Sequence, residues 1–120
     1  MKQVLFILLL FISFQGFSQE SVKLKRIGLE VMKKDLGKMN WEEAKKACEN
    51  LGDGWRLPTI DEFRKIYKYK DKIGGFARKY CWSSTETDDG NARFFGFSDG
   101  SAYATIKDEA NYVRAVRSLK

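Results

Sequence analysis

One proline, Pro58, sits in the segment Gly54-Trp55-Arg56-Leu57-Pro58-Thr59-Ile60-Asp61-Glu62-Phe63, which restricts the fold more than any other stretch of the chain. Proline cannot occupy a helix interior, and it pushes the residue before it toward an extended conformation. Leu57 therefore closes an extended element, in which Trp55 and Leu57 alternate with Arg56 as in a short half-buried strand. Thr59 is a strong helix N-cap, and Glu62 three residues later completes a capping box. Ile60, Phe63, Ile66 and Tyr67 then recur at helical spacing, so the helix has one apolar face. Every residue of the joint has a packing or capping use, and none is required for chemistry.

Residues 1–18 have the pattern of a secretory leader: Lys2 at the start, an apolar run from Val4 to Ile12, and small residues at Gly16 and Ser18. The run is shorter than the ~20 residues a bilayer span needs. Cleavage is expected after Ser18, with Gln19 as the alternative, leaving a single domain over residues 19–120. No transmembrane span is expected after removal of the leader, and the product is expected to be exported to the periplasm, the outer surface or the medium. An exported chain meets oxidising conditions, so Cys48 and Cys81 are expected to form a disulfide, which in the chain-entropy model would stabilise by roughly 3–4 kcal/mol. Two buried free thiols are the other reading.

Alternation predicts a first strand over Val22–Met32. Asn40, followed by Glu43, caps a helix whose stripe is Trp41, Ala44, Ala47, Cys48 and Leu51, and Gly52 stops it. A second helix is expected from Ile60 to about Tyr69, ending before Gly74-Gly75. Beyond Tyr80 the period changes to two, predicting strands at Cys81–Thr87, Ala92–Phe97, Ala102–Lys107 and Tyr112–Arg117. Asp89-Gly90 and Asp99-Gly100 are hairpin signals. Two-residue turns there would set Glu86 opposite Arg93, Phe95 opposite Ala104, Phe97 opposite Ala102 and Gly96 opposite Tyr103. The fold class is α+β: two short helices packed on an antiparallel β meander.

Four motifs follow one another. They are Trp41-Glu42-Glu43-Ala44 with Cys48, Gly54-Trp55-Arg56-Leu57-Pro58-Thr59 with Glu62, Tyr80-Cys81-Trp82-Ser83-Ser84-Thr85-Glu86, and Tyr112-Val113-Arg114-Ala115-Val116-Arg117. In this order they resemble the bacterial Lcl C-terminal domain family, named for the end domain of a collagen-like adhesin, and they are similar to the Fibrobacter major paralogous domain. The resemblance covers about residues 27–118. It implies a fold related to C-type lectins and to the formylglycine-generating enzymes, an exported domain attached to surface proteins, and binding of sulfated polysaccharide. Two departures narrow the analogy. The Glu-Pro-Asn calcium setting of lectin sugar sites is missing, because Pro58 is the only proline. The paired late cysteines of the copper oxidase site are also missing, because Cys48 lies on the first helix.

The chain has no histidine, which removes the commonest general base, the Ser-His-Asp and Cys-His arrangements and imidazole metal ligands. Asp88 and Asp89 flank a turn, where carboxylates are solvated. Glu86, Asp88, Asp89 and Asn91 fit turn chemistry better than a calcium loop. No catalytic residue, metal or cofactor is expected. Charge is more informative: Arg64, Lys65, Lys68, Lys70, Lys72, Arg78 and Lys79 stand against Asp71 alone and match the whole net charge of +6. At helical spacing Arg64, Lys65, Lys68 and Lys72 share the face opposite Phe63 and Tyr67, a candidate anion-binding surface with Arg78 and Lys79 beside it. Trp82, Phe94 and Tyr103 are candidates to stack on sugar rings. The expected function is a lectin-like binding module for an anionic or sulfated glycan or a cell-surface partner, with no role for nucleic acid. The alternative is an envelope assembly module that binds protein only.

Overall fold

The computed structural model describes residues 20–120. The leader predicted over residues 1–18 lies outside the described residues. In chain order the elements are β1 (Ser21–Leu24), a 3-10 turn (Lys25–Ile27), β2 (Leu29–Met32), β3 (Lys38–Met39), α1 (Trp41–Glu49), α2 (Ile60–Tyr67), α3 (Lys70–Ile73), β4 (Tyr80–Asp88), β5 (Asn91–Gly96), β6 (Ser101–Ile106), β7 (Asn111–Tyr112) and β8 (Val116–Ser118). The strands form two sheets, ordered β1-β2-β8 and β3-β7-β4-β5-β6, so the α+β class holds, with the meander in the larger sheet.

Local chemistry sets the helix starts. The Glu43 N–H donates to Asn40 Oδ1 at 3.0 Å while the Asn40 N–H donates to Glu43 Oε1 at 3.1 Å. Thr59 and Glu62 repeat the exchange at 3.1 and 2.9 Å. Arg56 then grips both oxygens of the same Glu62 carboxylate at 2.7 and 2.9 Å, so cap and joint lock together. The backbone of Arg56 pairs with Val116 as a single antiparallel bridge. The Ser84 N–H donates to the Pro58 carbonyl at 2.8 Å, which ties the joint to β4.

Long-range structure differs from the sequence expectation in several places. The strand expected over Val22–Met32 is a hairpin, β1–β2, closed by the 3-10 turn and by Gly28 in the left-handed region at φ +70°. The strand expected over Tyr112–Arg117 is divided: Tyr112 belongs to the large sheet, beside β4, and Val116 to the small one. The Asp89-Gly90 turn forms, but an irregularity in β4 sets Glu86 opposite Ala92 instead of Arg93. The β5–β6 loop takes four residues, so Phe95 faces Ala102 and Gly96 faces Ser101. Tyr103 still covers bare Gly96, diagonally and with Tyr80: a Cβ on that glycine would lie 3.2 Å from the Tyr103 ring and 2.9 Å from that of Tyr80.

Two apolar clusters flank β4 and β5. On one face Cys81 and Phe95 pack with Phe63, Ile66, Phe76 and Phe97. On the other, Trp82 and Ala92 pack with Trp41, Ala44, Cys48 and Trp55. This division overturns the predicted disulfide. Cys48 and Cys81 are both free and buried, each inside a different cluster. It also removes Trp82 from the ring-stacking candidates, because its side chain is fully buried and its indole N–H donates to the Met39 carbonyl at 2.9 Å.

Arg114 is the largest buried polar group, at 0 % exposure. Its Nε donates to Asp35 at 2.9 Å, and its Nη1 donates to the carbonyls of Met32 and Gly74 at 3.0 and 3.1 Å. The guanidinium lies 4.0 Å from the Phe76 ring centroid. Lys79 reaches the other Asp35 oxygen, so two cations share one carboxylate.

Candidate functional site

The basic residues predicted as one patch divide into two groups. Lys79 is half-buried, bonded to Asp35 and set 4.7 Å from the Tyr112 ring centroid, so it belongs to the internal network. Arg64 is exposed but pairs with Asp61 at 2.8 Å. Lys65, Lys68, Lys72 and Arg78 are exposed, and none makes an ion pair among the described residues.

Lys72 gains neighbours that the sequence reading missed. The β1–β2 hairpin lies beside α3, and together they form a groove of about 350 Å³ lined by Lys23, Leu24, Lys25, Arg26, Tyr69 and Lys72. Four of these six residues are cations and none is acidic. All four cations are exposed, while Leu24 is buried and Tyr69 half-buried beneath them. The 3-10 turn is what aims them: after Leu24 enters the core it carries Lys25 and Arg26 in succession out of the strand path. Among the described residues no carboxylate pairs with Lys23, Lys25, Arg26 or Lys72. A polyanion can therefore enter without displacing an internal partner, and the attraction weakens as salt is raised. Lys65 and Lys68 extend the positive surface along α2.

A second cleft, of about 780 Å³, is lined by Glu30, Asp53, Gly54, Arg117, Ser118, Leu119 and Lys120. Its arginine and its buried carboxylate are spent on each other, and a second carboxylate, Asp53, lies on the wall. Arg117 donates to Glu30 at 2.9 Å and lies 4.6 Å from the Trp55 ring centroid. Hydrogen bonds from Ser21 and then Arg117 hold the Glu30 carboxyl below the ordinary carboxylate range. The larger space is thus the less suitable for an anion.

The remaining candidates have structural roles. Trp55, Leu57 and Pro58 are buried, with Arg56, Thr59 and Glu62 forming the joint around them. Ser83 is buried and donates to the Arg93 carbonyl at 2.7 Å, and Ser84 holds Pro58. Burial alone would raise the Glu62 carboxyl, but hydrogen bonds from Arg56 and the Thr59 N–H more than offset it, and its pKa ends below the ordinary value. Burial pushes both thiols up to about 12, which leaves them protonated and poor nucleophiles at neutral pH. Asp88 is spent on its turn, accepting from Gly90 and Asn91, and no group of acidic or thiol side chains among the described residues is arranged to hold a metal ion. Phe94 and Tyr103, whose ring centroids lie 5.5 Å apart, remain partly open to solvent along with Tyr80.

The fold has solved counterparts. Botrocetin, a C-type-lectin-like protein, superposes with a TM-score of 0.63 at 13 % identity, covering 83 % of this chain and 96 % of its own. A complex of a von Willebrand factor A1-domain mutant with botrocetin superposes with a TM-score of 0.57 at 10 % identity, covering 82 % and 96 %. The architecture is therefore C-type-lectin-like. No curated protein matches the chain. The sequence profile of the Lcl C-terminal domain matches residues 20–117, and the chain belongs to that family.

Proposed function

We propose that the protein is an exported, non-catalytic binding module that recognises an anionic or sulfated glycan through the Lys23–Lys25–Arg26–Lys72 groove. The observation that carries this reading is the groove's charge: four exposed cations over an aromatic and aliphatic floor, none in an ion pair among the described residues and only Lys23 set across from a carboxylate, that of Glu30. Sulfated sugars offer sulfate or carboxylate groups to the ammonium and guanidinium heads and ring faces to Tyr69. The leader pattern in residues 1–18 supports export, and the buried thiols and paired carboxylates support the absence of catalysis. The test is retention on a heparin-type column under a salt gradient. The native chain should elute at moderate salt, and a Lys25→Glu/Lys72→Glu variant should elute near the void. Equal retention of the two would remove the groove from the mechanism.

A protein partner is the second reading. One solved neighbour is botrocetin in complex with a von Willebrand factor A1 domain, a protein partner. Capture of one defined envelope protein, unaffected by the groove variant and without any signal on a glycan array, would favour it.

A further inference from the structure

Both walls of the basic groove run on to the same buried side chain. The hairpin wall, which carries Lys23, Lys25 and Arg26, leaves β2 at Met32, and the helical wall, which carries Tyr69 and Lys72, leaves α3 at Gly74. Arg114 Nη1 donates to both exit carbonyls, at 3.0 Å to Met32 and 3.1 Å to Gly74. Among the described residues no hydrogen bond or ion pair joins one wall to the other directly. The walls also share an apolar cluster through Leu24, Tyr69 and Ile73. Apolar burial holds them together but sets no direction between them. Two bonds from one nitrogen do.

The surroundings of Arg114 suit a fixed tie. Its segment crosses between the sheets, with Tyr112 paired to β4 and Val116 paired to β2. Asp35 accepts from Nε, and the Phe76 ring lies 4.0 Å from the guanidinium, so the plane of the fork is set before it reaches the carbonyls. The chain after the helical wall comes in close: a Cβ on Gly75 would lie 2.9 Å from Nη2 and 3.1 Å from the Lys33 carbonyl. Gly75 also takes φ +80°, in the left-handed region. Only a bare backbone fits both demands.

The geometry points to Arg114 as the positioning residue of the groove: by bonding Met32 and Gly74 at once it fixes how the two walls stand, and so the spacing between Lys72 and the cations of the hairpin. Arg114 itself does not touch the ligand. The inference rests on the reading of the groove as an anion site. Cations held at a set spacing need less ordering when a ligand arrives, and that raises affinity without adding a contact.

Spin labels at Lys25→Cys and Lys72→Cys read the spacing, with the native thiols buried and protonated. Asp35→Ala/Arg114→Met removes one charge of each sign, so the net charge stays at +6. It also replaces a buried ion pair with apolar groups, a change that often leaves stability intact. In that background the label distance should lengthen or spread. Without labels, heparin should bind roughly 2–30-fold more weakly than to the native chain, the range for substitutions that act through packing and not through contact. Glu62→Gln, a destabilising change at the distant joint, should keep the native distance and the native affinity. Gly75→Ala keeps every charge and sets a methyl group against Nη2, and it carries the same test if the double variant does not fold. A native distance in whichever of these two variants folds would overturn the inference. A changed distance with native heparin affinity would uphold Arg114 as the tie and remove the groove as the anion site.

Discussion

Arg114 and Lys72 carry the same charge in opposite settings. Arg114 is wholly buried, with a carboxylate, two carbonyls and an aromatic face around it. Lys72 stands in the open beside three other cations. The first charge organises the fold: it ties the loop after β2, the glycine pair after α3 and the β7–β8 crossing to one point. The second gives no such service, and a charge without an internal partner remains available to an external one. Net charge cannot distinguish the two, because +6 counts them alike. What distinguishes them is the location of the counter-charge.

The buried setting depends most on Asp35. Removing it leaves Arg114 buried without its anion, and breaking a buried pair from one side costs about 3–5 kcal/mol. Asp35→Ala should lose that much in urea unfolding, and Asp35→Ala/Arg114→Met should recover a large part of it. A loss below about 1 kcal/mol would mean that the Met32 and Gly74 carbonyls and the Phe76 face hold the guanidinium unaided.

A smaller effect, spread over pH, comes from Glu30 and Glu62. Both have pKa values below the ordinary 4.5, so each contributes stability that is present above that value and is lost as pH falls through the lowered one. Urea midpoints should be flat at neutral pH and decline below about pH 4.5. Glu62→Gln should be less stable at neutral pH and show a shallower decline. An unchanged acid slope in that variant would show that the Arg56–Glu62 fork is not coupled to folding.

Smaller again is the cap. Thr59→Ala should cost about 1 kcal/mol, since it removes one side-chain acceptor while Glu62 and Arg56 remain. This joint was legible in the sequence, as was the Asn40 cap, because all the information in a capping box lies within a few residues. The α+β class and the Asp89-Gly90 turn were legible for the same local reason. Features set by distant contacts were not. The β5–β6 loop gained two residues where Tyr67 packs against Gly100, a contact no turn rule contains. The disulfide reading rested on compartment, but the sheet places Cys48 and Cys81 in separate clusters. Lys72 was visible as part of a basic face, whereas Lys23, Lys25 and Arg26 fell within the one strand expected over Val22–Met32. Only the folding-back of β1 on β2 brings them beside α3.

The smallest expected effect is at Lys72. Lys72→Ala removes no ion pair found among the described residues, and it leaves the apolar contacts of Ile73 and Tyr69 in place. Surface changes of this kind fall within about ±0.5 kcal/mol. Relief of repulsion from Lys23, Lys25 and Arg26 should move the change toward stabilisation at low ionic strength, and added salt should erase the gain. Urea unfolding of Lys72→Ala and the native chain at two salt concentrations measures both the size and the sign. A destabilisation above about 1 kcal/mol that salt does not alter would place Lys72 with Arg114 among the charges that hold the fold, since an exposed lysine with no partner has no route to that cost. A small, salt-sensitive gain would place it among those kept at the surface at a slight expense in stability, as a groove built to receive negative charge requires.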